Sequence, residues 1–146
     1  MTLWDDIEKA IADAASLPPA KAADALLEAG ENVLVNWLQA HDRAPNGEEK
    51  EGFRLLALHR QGSTGIPSFN ACRETCRELA YHHNLIVANP DHPEAPRRQM
   101  MMGMVATHLL LFVRGKMDVA GLGEFCCSSR PIRTAETVLS DVPTRS

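Results

Sequence analysis

What the chain lacks narrows its reading first. It has no excess of positive charge: 15 Lys and Arg stand against 19 Asp and Glu, a formal net charge of −4. That balance gives no general attraction for nucleic acid or an anionic membrane, although a local basic patch stays open. Long hydrophobic runs are absent. The longest apolar stretch, Met100 to Val113, is interrupted by Gly103, Thr107 and His108 and falls short of the roughly 17–25 residues that a membrane span needs. The opening Met1-Thr2-Leu3-Trp4-Asp5-Asp6 has no basic region ahead of an apolar core, so no secretory signal is read there. The expectation is a soluble, cytoplasmic chain with no membrane partner.

Catalytic and nucleotide-binding motifs are missing as well. The chain contains no G-x-x-x-x-G-K, no G-x-G-x-x-G and no G-x-S-x-G, which removes the usual phosphate loops and the nucleophile elbow. H-E-x-x-H is absent, and so is E-x-x-H, the inward pair of di-iron helical bundles. There is no internal repeat, no low-complexity block and no series of strand-like alternations. Leu85-Ile86-Val87 is the one short stretch with β character. Cysteine is sparse: Cys72, Cys76, Cys126 and Cys127. Without an export signal these are read as reduced thiols.

What remains is an ordinary globular composition, 45% hydrophobic and 23% charged over 146 residues, which argues against wholesale disorder. A chain of this length buries about 68–70% of its unfolded surface, so neither disulfide nor metal is needed for folding. Helical periodicity dominates. A first helix, capped by Thr2, runs to about Ser16 with Leu3, Ile7, Ile11 and Ala14 on one face, and Pro18-Pro19 stops it. A second spans Ala20 to His41, with Gly30 the point at which two shorter helices would divide, since an interior glycine costs about 1 kcal/mol against alanine. Asn46 with Glu49 resembles a capping box for a third helix carrying Phe53, Leu55, Leu56 and Leu58 to Gly62. Ser68 caps a fourth, Phe69 to Val87, with Phe69, Cys72, Cys76, Leu79, Ala80 and His83 inward and Arg73, Glu74, Arg77 and Glu78 outward. A fifth starts near Asp91 or Glu94 and reaches Lys116. Short helices over 124–129 and 134–142 follow, with a frayed end within 139–146. The fold class is therefore all-α: one domain, 1–146, a bundle of about five main helices plus short C-terminal ones.

Four groups of residues are candidates for function. Cys72, Cys76 and His83 fall on one helical stripe, and thiolates with imidazole are donors that zinc and other soft transition metals prefer. A fourth ligand would come from Cys126, Cys127, His59 or His108. Core packing of two small thiols is the plainer explanation. Adjacent Cys126 and Cys127 could be reactive thiols near Arg130, opposed by Glu124. Of the neighbouring imidazoles, His82 is expected outward and His83 inward. His108, inside the apolar run, reads as a satisfied core histidine.

The third group is the Met100, Met101, Met104 and Leu111 set. It gives the fifth helix more apolar surface than one core face needs, which suggests a partner, with self-association foremost. The fourth is Asn70, Arg73 and Arg77 on the fourth helix, which could contact nucleic acid in a helix-turn-helix manner. Glu74 and Glu78 on the same face oppose that. The leading expectation is a non-enzymatic accessory or regulatory module acting through protein contacts as a homodimer. The alternatives are a metal- or redox-active helical protein using zinc or another transition metal, and a DNA-binding regulator.

Overall fold

Alternating apolar stripes and proline punctuation produce five α-helices in the computed structural model, which describes residues 3–121. They are α1 (Leu3–Ala14), α2 (Pro19–Ala40), α3 (Arg54–Ser63), α4 (Arg73–Ala88) and α5 (Ala95–Val119), with a 3₁₀ turn, Pro67–Cys72, ahead of α4. Among the described residues there is no strand, only an isolated bridge between Lys50 and Phe53. The expected short helices beyond Gly121 lie outside the described residues, as do Cys126, Cys127 and the Thr2 cap.

α2 is the hub and touches each of the other four helices. Its buried face includes Ala22, Ala23, Leu26, Ala29, Gly30, Val33, Leu34, Trp37 and Leu38. The small residues at its middle let neighbours come close. At Gly30 an added Cβ would stand 2.5 Å from Leu79 Cδ2 and 3.3 Å from Leu55 Cδ1. α2 accordingly runs unbroken through Gly30. The break considered from glycine's low helix propensity does not occur, because close packing of α3 and α4 outweighs a penalty of about 1 kcal/mol.

The start of α3 also departs from expectation. Asn46 does not cap a helix. Its side-chain oxygen accepts from the Glu48 amide at 3.1 Å, a local turn of the kind Asn favours. Lys50 and Phe53 then exchange two backbone hydrogen bonds of 3.0 Å around Glu51 (φ 56°) and Gly52 (φ 85°). Positive φ at both central residues matches the right-handed twist of a two-residue hairpin, and the helix begins only at Arg54. Arg43 fastens this segment to the end of α3 by donating to the carbonyls of Gln61 at 2.8 Å and Thr64 at 2.9 Å.

Ser68 does not cap α4 either, since its hydroxyl accepts from Lys116 Nζ at 2.8 Å. Pro67 instead opens the tighter 3₁₀ turn, where its missing N–H and fixed φ cost nothing. α4 starts one turn later, with Cys72 at its N-cap. In α5 the buried residues are Ala95, Met102, Ala106, Leu109, Leu110, Val113 and Met117. Met100, Met101, Met104 and Leu111 are exposed, so α5 flanks the bundle with one apolar face outward. No helix among the described residues is long and apolar enough to cross a membrane.

Candidate metal centre at the α3–α4 corner

An aromatic stack fixes the corner. The rings of Trp37 (α2) and Phe69 (3₁₀ turn) lie parallel with centroids 4.2 Å apart, and His59 of α3 stacks on Phe69 at 5.3 Å. Trp37 Nε1 donates to the Gly62 carbonyl at 3.2 Å. Gly62 is needed where it stands, because a Cβ would approach Trp37 Cδ1 to 3.0 Å and Phe69 Cε2 to 3.2 Å. Each stacked pair contributes about 0.5–1.5 kcal/mol beyond burial.

This corner delivers three donor groups to one point. His59 comes from the inward face of α3, next to Leu55 and Leu58. Cys72 ends the 3₁₀ turn and Cys76 lies one turn into α4, the offset that puts two side chains on one face. The three ligand atoms all lie within 4.8 Å of one another. Exposure is 4% for His59, 1% for Cys72 and 0% for Cys76, and both thiols are unbridged.

The Phe69 carbonyl organises the group. It accepts from His59 Nε2 at 3.2 Å, and from the Cys72 thiol at 3.3 Å when that thiol is protonated. An imidazole that donates to a carbonyl through Nε2 has its Nδ1 left over for a ligand. Metal-bound histidines show this same arrangement, one nitrogen on the ion and the other on a carbonyl. The thiols divide one charge unequally. A hydrogen bond from Cys76 holds the Cys72 pKa down at about 6 against the opposing effect of burial, helped by His59 and by the Cys72 backbone amide. Cys76 is pushed well above the ordinary thiol value by that same hydrogen bond, then by burial and the Cys72 charge. Cys72 is thus the more acidic thiol of the pair and Cys76 the less acidic. Two sulfurs and one imidazole are suited to a soft or borderline metal ion.

The remaining sequence candidates fall elsewhere. His83 is not the third member of the cluster. Seven residues of α-helix separate it from Cys76, about 10 Å of rise, and its Nε2 meets Asp24 Oδ1 of α2 at 2.9 Å, with Phe53 edge-on at 5.8 Å. His82 is not outward but buried, because α4 packs against α2, α3 and α5 and its covered arc takes in both imidazoles. His108 is exposed rather than in the core and stands with Met100, Met104 and Leu111 on a groove of about 640 Å³ between α1 and α5, away from the thiols. Asn70, Arg73 and Arg77 border a small cleft against His59. Arg77 is held by Glu51 through two contacts of 3.2 Å. α3 and α4 are joined by a loop and the 3₁₀ turn, a longer link than the 3–4-residue turn typical of helix-turn-helix pairs.

From the sequence, His59 stands only among the options for a fourth ligand, and the Phe69 carbonyl, Lys50 and Arg60 carry no signal. The inward i, i+4 pairing of His59 with Leu55 was the signal that could have promoted it. Comparison of the chain with protein-family models, curated proteins and solved structures found no match.

Proposed function

We propose that this protein binds one soft transition-metal ion, zinc or copper(I), through His59, Cys72 and Cys76. The observation that carries this reading is the convergence of three buried donor atoms within 4.8 Å of one another. The hydrogen bond from His59 Nε2 to the Phe69 carbonyl orients the ring as a ligating histidine requires. Thiol ligands must lose their protons on binding. Cys72 is the thiol held more acidic and Cys76 the one held less acidic, so Cys76 gives up its proton the less readily of the two. Unbridged Cys72 and Cys76 suit a reducing compartment such as the cytoplasm. Elemental analysis after anaerobic, reducing purification, followed by titration with zinc and with copper(I), tests the proposal. One ion per chain is expected in the native protein and none in Cys72→Ser/Cys76→Ser. Absence of stoichiometric binding of either ion would overturn it.

A second reading concerns α5. Met100 is 61% exposed, Met104 65% and Leu111 50%, and all three border one groove. Methionine-rich surfaces are adaptable in binding, which supports a module that acts through protein contacts, including self-association. Light scattering across a dilution series tests this, and a monomer at every concentration would remove the homodimer.

A further inference from the structure

A second site adjoins the first and is argued from different observations. Lys50, Arg60, Arg73 and Arg77 converge on a cleft of about 130 Å³, with Ser63, Asn70, Leu56 and the buried His59 completing its walls. The cations come from three places: the two-residue hairpin (Lys50), α3 (Arg60) and the first turns of α4 (Arg73, Arg77). Only part of this charge is neutralised locally. Arg77 is paired with Glu51 at 3.2 Å and Arg73 with Glu74 at 3.5 Å. Lys50 and Arg60 have no carboxylate within ion-pair distance among the described residues, although the chain as a whole carries a formal charge of −4.

Size and donor geometry select the ligand. Pockets for drug-sized molecules run to about 300–1,000 Å³, so this cleft has room for a single ionic head with any remainder outside. Guanidinium groups recognise carboxylate and phosphate through paired donors. Donors drawn from three separate segments around one small cleft suit the four oxygens of a tetrahedral anion better than the two of a carboxylate. We infer that the Lys50–Arg60–Arg73–Arg77 cleft binds a phosphate-type oxyanion, either inorganic phosphate or the phosphomonoester end of a small molecule. Neither a metal nor ionised thiols are needed for that binding.

Calorimetric titration of the metal-free protein with inorganic phosphate, phenyl phosphate and a mixed-sequence DNA duplex, at about 50 mM salt where electrostatic attraction is strong, tests the assignment. Phosphate or phenyl phosphate should bind at about 1 mM or tighter. Equal affinities would identify the free ion as the ligand, and tighter phenyl phosphate a phosphomonoester. Arg60→Ala and Arg73→Ala, both at exposed positions, should each weaken binding roughly ten-fold. Arg97→Ala, at the far end of α5, should leave it unchanged. The inference is overturned if neither small anion binds by about 10 mM, if Arg60→Ala and Arg73→Ala bind as the wild type does, or if only the duplex binds. Because metal is absent throughout, failure here leaves the metal proposal intact, and the reverse also holds.

Discussion

Replacing Cys76 by alanine should return the neighbouring Cys72 to an ordinary thiol. Cys72 sits at about 6 chiefly because the Cys76 thiol donates to it, with His59 assisting, while burial pushes the other way. An unperturbed thiol of pKa 9.0 lowered to about 6 has gained roughly 4 kcal/mol of preference for its charged form, at about 1.4 kcal/mol per pH unit. At about pH 7 the wild-type group is then roughly nine-tenths thiolate, whereas an ordinary thiol is about one-hundredth. Without the Cys76 donor, burial opposes ionisation with only His59 and a backbone amide against it, and the midpoint should rise past about pH 8.

Thiolate absorbance in the ultraviolet, followed against pH in metal-free reduced protein, reads this directly. Subtracting the curve of Cys72→Ala/Cys76→Ala from each removes the contributions of Cys126 and Cys127. A wild-type midpoint near the ordinary thiol value, or an unchanged midpoint in Cys76→Ala, would refute the shared-proton arrangement. Stability should follow the same groups. The depressed Cys72 value means that the unfolded chain holds a proton there that the native chain has lost, so stability rises with pH between about 6 and 9. Above about 9 the raised Cys76 value reverses the slope, because the native state then keeps a proton that the unfolded chain releases.

Three further perturbations probe the frame. Gly30→Ala should destabilise by about 1–3 kcal/mol in urea, as the new methyl meets Leu79 and Leu55, and a gain in stability would contradict the packing of α2 on α3 and α4. Trp37→Phe loses the donor to the Gly62 carbonyl and part of the Phe69 stack, which should cost about 1–3 kcal/mol and weaken metal uptake, measured on the same sample. Met104→Glu, at a 65% exposed position, should change stability by no more than about 0.5 kcal/mol while lowering any self-association in sedimentation. A large loss of stability would instead mark the residue as part of the core.

Periodicity exposed most of the architecture. Ile7 and Ala14 of the face expected for α1 are buried, with Trp4 in the core where Leu3 is expected and Leu3 exposed, Val33, Leu34, Trp37 and Leu38 are buried on α2, and proline brackets the α1–α2 and α4–α5 connections. At three positions a local side-chain preference gives way to another partnership. Asn46 serves a turn, Ser68 is taken by Lys116, and Gly30 is a contact rather than a break. The thiol pair was legible from its four-residue offset. Its third member was not, because His83 shares a helix with the cysteines while His59 reaches them only through tertiary packing, which no single-helix wheel contains. The basic cleft was hidden for the same reason: Lys50 and Arg60 precede Arg73 by 23 and 13 positions in the chain and meet it only after α3 folds back.

Phe69 has two allegiances. Its ring belongs to the hydrophobic interior, between Trp37 and His59, while its carbonyl belongs to the polar corner. Whatever tightens that corner must also hold the ring in register, so occupancy should be felt as rigidity deep in α2 and α3. Evolution could then retune affinity without touching a donor atom, by adjusting how firmly one phenyl group is clasped.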